Sequence, residues 1–226
     1  MTAGRSRGGP RTRDAERSRR TILAAAEQLF ADEGFEAVSL ARIGATARLS
    51  RQTPAYFFGS KEALHAAVIA ELFAAREAAL REPWAALGRA GDGDLPARLR
   101  DAVAAYLAFL RDRRTFVAIV EREAVGGARR LREAPHRSTA MEDGLRALAD
   151  RRSIDVDGTL LTVLSLGMFW FAHAETFLAP RGVDPAAPGP FAAQVERIAA
   201  LAAPLLGLAP TGAPDLPGID GRRRAR

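Results

Sequence analysis

Arg51, Gln52, Thr53 and Tyr56 stand close together in the stretch LSRQTPAYFFGSKEAL, Leu49 to Leu64, with Lys61 a little further on. These side chains hydrogen-bond; they do not make or break covalent bonds. A glutamine carboxamide can pair bidentately with adenine, and a guanidinium with guanine. A tyrosine hydroxyl and a lysine ammonium suit phosphate, which positions a protein on a duplex without specifying sequence. Pro54 sits among them, and proline has no N–H to give a helix.

Residues that do covalent or metal chemistry show no comparable grouping. There is no cysteine, so no disulfide framework, thiolate metal site or cysteine nucleophile. His173 and Glu175 lie two apart and would face different sides of a helix. His65 and His136 have no partner at metal-ligand spacing, and Ser165 lacks the flanking glycines of a nucleophile elbow. No phosphate loop or dinucleotide fingerprint occurs. The expectation is no catalytic residue, no metal and no cofactor. A small hydrolase built on Ser165 and His173 is the enzymatic alternative, and it would turn over substrate without DNA.

The elements that must position the opening residues are legible as helices. TILAAAEQLFADEGFEAVS places Ile22, Ala26, Leu29 and Phe30 at helical spacing. Gly34 fits the left-handed residue just past the helix end, and Phe35 can then pack back on Phe30. Ser39 is a good N-cap for a short helix with Leu40, Ile43 and Ala47 on one face. Arg48 and Leu49 turn the chain. Ser50 caps a third helix, about 51–57, in which Pro54 is the fourth residue; alternatively Thr53 is the cap and Pro54 the first helical residue. Gly59 stops that helix and Ser60 caps a long fourth one carrying Leu64, Val68, Leu72, Ala75 and Ala79, with Pro83 just beyond its end. Short helix, tight turn, short helix is the helix-turn-helix plan. Its second helix enters the DNA major groove N-terminus first.

The run from Arg19 to Ile69 resembles the DNA-binding domain of TetR-family transcriptional regulators. The elements that carry the likeness are ILAAAEQLF, EGFEAVSLARIGATA, LSRQT and FGSKEAL, in matching order and spacing. Arg48 stands where the family usually has glycine, and Pro54-Ala55 and Phe57 also depart from the common pattern. A left-handed Arg48 would cost about 1 kcal/mol. The resemblance implies that Ser39 and Arg42 meet backbone phosphate, with Arg42 also reaching toward a base. It implies that Ser50, Arg51, Gln52 and Thr53 lie at the reading tip, and that Tyr56 and Lys61 bind phosphate.

Composition agrees with a helical protein: 48% hydrophobic residues but only 7% aromatic, with a net charge of +6. Residues 1–20 hold seven arginines against Asp14 and Glu16, and 222–226 hold four more. Such an arm fits a polyanion partner or a solubilising tail. The N-terminus has no apolar signal-peptide core, and the compartment expected is the cytoplasm.

Residues from about 80 to 210 carry no quotable motif, only helical stripes. Leu95, Leu99, Ala102, Tyr106 and Leu110 form one, Phe116, Ile119 and Val120 a second, and Met141, Leu145 and Leu148 a third. GTLLTVLSLGMFWFAHAETFL is apolar nearly all round, uncharged from Gly158 to Ala174. That is short for a membrane span of about 20 residues, and it contains Thr159, Thr162, Ser165 and His173. With the last helix, 191–208, it suits a four-helix bundle between subunits, as TetR-family dimers form. The fold expected is all-α: a disordered basic arm over 1–14, a three-helix helix-turn-helix domain over 15–62, a larger helical ligand-binding and dimerisation domain over 63–208, and a flexible tail over 209–226. The function expected is a homodimeric regulator, a repressor, on a palindromic double-stranded DNA operator. It would be released by a small-molecule effector lined by Tyr106, Phe109, Phe116, Met141, Phe169, Trp170 and His173. A DNA-binding protein with no ligand sensing is the alternative within the same class.

Overall fold

The computed structural model describes residues 10–133 and 139–209. Among them there are helices and turns and no strand, the all-α class expected. The described residues fall into two units, one within Met1–Leu72 and Ala118–Pro135, the other within Phe73–Val117 and His136–Arg226.

The first unit holds α1 (Pro10–Glu33), α2 (Leu40–Thr46), α3 (Thr53–Phe58), the start of α4 (Lys61–Arg89), the end of α6 (Arg114–Val125) and α7 (Arg129–Glu133). Its core is the stripe read from sequence: Ile22, Ala26, Phe30, Ile43, Leu64 and Val68 are all at most 1% exposed. Gly34 takes φ +83° and its N–H donates to Phe30 O. Phe35 stacks back on Phe30, with ring centroids 5.9 Å apart.

Three boundaries differ from the sequence reading. Helix α1 begins at Pro10, so 10–14 form its first turn and not part of a disordered arm; proline's fixed φ suits that position. Residues 1–9 and 210–226, the rest of the proposed arm and nearly all of the proposed tail, lie outside the described residues, as does His136. The division at 62/63 falls inside α4 and within the first unit, which also takes back residues after Val117. Finally, Pro83 lies inside α4. It costs one backbone hydrogen bond, but Trp84 and Leu87 beyond it are fully buried, and their packing carries the helix on.

The second unit holds the rest of α4, then α5 (Leu95–Asp112), the first turn of α6, α8 (Thr139–Ala149), α9 (Val156–Ala172) and α10 (Pro188–Ala202). The predicted stripe Leu95, Leu99, Ala102, Tyr106 and Leu110 is buried on α5. Two glycine contacts set how closely its helices approach. A Cβ on Gly88 of α4 would lie 2.7 Å from Gly144 O of α8, and one on Gly167 of α9 would lie 2.6 Å from the Tyr106 ring. Helix α9 ends at His173, and a π-helical turn over Ala174–Leu178 follows. The chain bends by 70° there, and no single described helix is long and apolar enough to cross a membrane.

The turn after α2 is a Schellman motif. Arg48 N–H donates to Ala45 O and Leu49 N–H to Gly44 O, with Arg48 at φ +57°. An arginine there bears the strain that glycine would avoid. Arg48→Gly should therefore stabilise the protein by about 0.5 kcal/mol, the relief being partly offset by a more flexible unfolded chain. Urea denaturation of both proteins checks this.

Candidate nucleic-acid interface

Helix α2 starts where expected: the Ser39 hydroxyl accepts from Arg42 N–H at 3.2 Å. Helix α3 starts between the two alternatives. Gln52 is its N-cap, Thr53 the first helical residue and Pro54 the second. Ser50 does not cap it: its hydroxyl accepts from Gln52 N–H at 3.3 Å, and its carbonyl accepts from Thr53 N–H at 3.0 Å. These bonds shape a turn ahead of the helix. At the second helical position an N–H has no intrahelical acceptor, so Pro54 sacrifices no helix bond.

Sequence reasoning missed why proline is used. Pro54 is buried. It packs at Gly44, where an added Cβ would stand 3.2 Å from Pro54 Cδ, 3.1 Å from Arg51 Cα and 2.8 Å from Ser50 O. Gly44 is helical with ordinary backbone, so only its missing side chain explains it. The first turn of α3 is laid directly on α2, and its polar residues face outward. Ser39, Arg42, Ser50, Arg51, Gln52 and Tyr56 are exposed, and Thr53 is half-buried. Tyr56 is 85% exposed, with its ring edge-on to Phe57.

Two of the expected phosphate ligands already have protein partners. Arg42 Nη1 lies 2.6 Å from Glu33 Oε2 at the end of α1. Lys61 Nζ donates to Phe35 O at 3.0 Å and lies 4.2 Å from the Phe35 ring centroid. Lys61 thus ties the start of α4 to the loop that follows α1. The hydroxyl of Ser60 accepts from Ala63 N–H at 3.1 Å, as expected of a cap.

Behind Lys61 lies a buried charged cluster that the sequence did not reveal, because its members are far apart in the chain. His65 Nε2 lies 3.4 Å from Glu123 Oε1, and Arg130 Nη1 lies 3.6 Å from the same oxygen. His65 is 2% exposed, edge-on to both Phe30 and Phe35. Arg130 covers Phe35 at 3.8 Å and pairs with Glu36. Arg122 donates to Ala31 O and Asp32 O at the end of α1, where a cation suits the helix dipole.

The residues expected to line a ligand site separate into groups. Tyr106, Phe109, Phe116, Met141 and Trp170 are buried in the second unit. Phe109 and Phe116 meet edge-on at 5.1 Å, and Trp170 donates to Pro185 O. Phe169 is 50% exposed and stacks with His173 and Phe177 on the surface.

A short helix, a tight turn and a second short helix that presents an amide and a guanidinium at its exposed N-terminus make a helix-turn-helix domain of the DNA-binding kind. Residues 22–68 match the family model of bacterial regulatory proteins, tetR family, and the chain carries the DNA-binding domain of that family. No curated protein matches the sequence. In fold, the chain is similar to a TetR family transcription regulator from Marinobacter aquaeolei VT8: TM-score 0.65, 16% identity, covering 84% of this chain and 96% of that one. It is also similar to a TetR-like regulator from Rhodococcus sp. RHA1, with TM-score 0.57, 22% identity, and 82% and 93% covered. A TetR-family regulator from Haemophilus influenzae gives TM-score 0.60, 15% identity, and 82% and 96% covered. At these identities the likeness is one of fold.

The cluster predicts a pH dependence. Burial, then the charges of Arg130 and Lys61, lower the His65 pKa from 6.5 to about 4. Glu123 pulls the other way, but Arg130 shares its carboxylate. The unfolded chain takes up this proton near 6.5 and the folded chain only near 4. Stability is therefore complete above about pH 6.5 and falls as pH drops toward 4. Between pH 7 and pH 5 the loss should be roughly 2 kcal/mol. Urea denaturation at the two pH values checks this, and His65→Gln should remove most of the difference.

Proposed function

We propose that the chain is a sequence-specific transcriptional regulator that binds a palindromic operator as a homodimer, represses from it, and releases it when a small molecule occupies the second unit. The observation that carries the DNA-reading part is the exposed tip of α3. Arg51 and Gln52 stand there with no side-chain hydrogen bond to another described residue, while Pro54 anchors the turn beneath them. Gln52 and Arg51 read base edges; Tyr56, Ser39, Arg42 and Lys61 hold phosphate, with Arg42 trading its surface pair with Glu33 for the backbone of the duplex. Exposed ion pairs contribute little, so that exchange costs little.

The homodimer is supported by an apolar ridge. Leu161, Ser165, Phe169, His173 and Phe177 follow one another at i, i+4 spacing along α9 and the turn after it, and Leu201 lies on α10. Leu161, Phe169, Phe177 and Leu201 are 63%, 50%, 45% and 54% exposed. Ridges of this spacing interdigitate with a second copy of themselves, and a two-fold axis supplies that copy. Two reading tips set for half-sites about 34–36 Å apart would enter successive major grooves. An effector that prefers another spacing weakens DNA binding by the factor with which DNA weakens the effector's own binding. Tyr106, Phe109, Phe116, Met141 and Trp170 are the interior candidates for that effector, and Phe169 and His173 belong to the ridge.

Light scattering of the pure protein without DNA should give twice the chain mass of 24.2 kDa. Phe169→Glu should shift it to monomer, and a wild-type monomer at micromolar concentration would refute the dimer.

For DNA reading, an operator is first selected from random duplexes. Gln52→Ala should then lose about 1–3 kcal/mol on that operator and little on a scrambled duplex. Lys61→Ala should weaken both equally and lower the salt slope by about one. Equal losses on both duplexes for Gln52→Ala would reduce the α3 tip to a phosphate clamp.

A further inference from the structure

Arg76, on α4 within the second unit, is 6% exposed, which is rare for a guanidinium. Its charge lies over the Phe73 ring at 4.5 Å and the Phe116 ring at 5.9 Å. Its Nη2 reaches Glu77 Oε1 at 3.0 Å. The other Glu77 oxygen is committed elsewhere: Oε2 accepts from Ala140 N–H at 2.8 Å and from the Thr139 hydroxyl at 3.3 Å, at the start of α8. Glu77 therefore takes one tooth of the guanidinium fork and cannot take both. Nε, the second tooth on that edge, is buried without a partner.

An oxyanion that presents two oxygens on one edge takes Nε and Nη2 together. A buried donor left unpaired destabilises a protein by about 1–3 kcal/mol, and by more when it is charged. Trp84 Nε1, at i+8 on the same helix, is also buried and unpaired. Among the described residues of this unit both orphaned side-chain atoms are thus donors, and what they lack is an acceptor. The local charge favours an anion as well, because the Glu77 carboxylate that faces Arg76 is shared with the positive end of the α8 dipole. Phe73 and Phe116 set apolar ring faces against the charge, and Phe109 packs on Phe116.

We propose that the second unit binds an apolar small molecule that carries an anionic oxygen group, and that this group sits on Nε of Arg76. This deepens the effector reading above and rests on it. A carboxylate or a sulfonate would serve equally, and a cation would be rejected.

Two fluorescent molecules of nearly one skeleton test the idea: 8-anilinonaphthalene-1-sulfonate, an anion, and N-phenyl-1-naphthylamine, which is neutral. Each is titrated into the full-length protein and into Arg76→Met and Arg76→Lys. The sulfonate should bind saturably, and Arg76→Met should weaken it at least about tenfold while leaving the neutral compound within about twofold. Arg76→Lys, which keeps the charge and loses the fork, should fall between. Circular dichroism confirms that each variant is folded, and if Arg76→Met is not, Arg76→Lys alone should still weaken the sulfonate selectively. Two results overturn the inference. If both compounds bind equally and Arg76 variants change neither, Nε is satisfied by water; the anion preference falls and the effector reading stands. If neither compound binds the wild-type protein, the effector reading and this inference fall together.

Discussion

The helix-turn-helix surface depends on a missing methyl group. Gly44 lets the backbone of Ser50 and Arg51 come close enough that any side chain at that position would overlap Ser50 O. Everything displayed at the tip of α3 follows from this contact. Pro54 fills the small space beside Gly44 with a ring that needs no hydrogen bond. The Schellman turn between the helices fixes the angle at which α3 meets α2, and it requires a left-handed residue. Arg48 supplies that conformation at a cost, which the surrounding packing must offset. An exposed set of polar side chains therefore rests on a buried floor, as a precise site requires.

A second constraint operates around Phe35. Lys61, Arg130 and His65 all approach its ring. Burial, and after it the two cations nearby, favours the neutral form of His65, and the aromatic faces accept the cations' charge. The same three residues join the start of α4, the loop after α1 and the segment that follows α6. Arg122 adds two hydrogen bonds to the end of α1. Charge pairing of this kind contributes through position more than through net energy, since burying an ion pair costs much of what the pairing returns.

In the second unit the close contacts are again made through glycine. Gly88 against Gly144 brings α4 and α8 together, and Arg151 donates to Gly88 O to satisfy the carbonyl at that crossing. Gly167 admits the Tyr106 ring. Burial holds the Tyr106 hydroxyl in its neutral form well above the ordinary tyrosine range, and the nearby Arg76 only partly opposes this. Among the described residues, an apolar interior that holds the Arg76 guanidinium contrasts with the apolar ridge on the outside of α9.

Much of this was legible in the sequence because it depends on local rules. Helix spacing gave the stripes on α1 and α5, Ser39 and Ser60 gave caps, and Gly34 and Gly59 gave helix ends, all through interactions within a few residues. The three-helix domain was legible from the spacing of LSRQT and FGSKEAL as well. Pattern alone could not place the start of α3, because Ser50, Gln52 and Thr53 are each acceptable near a helix start and the choice turns on how α3 rests on Gly44. It ended α4 too early at Pro83, since proline's local cost is outweighed by the burial of Trp84 and Leu87. The His65–Glu123–Arg130 cluster and the pairing of Glu77 with α8 join residues remote in the chain, and neither leaves a local signal. Phe169 and Tyr106 looked alike as aromatic residues in apolar helices, yet one is half exposed and the other buried. Sequence determined which residues could be helical, capped or apolar. Only the tertiary structure decided which apolar face turned inward and which buried charges met, because those choices depend on contacts between distant segments.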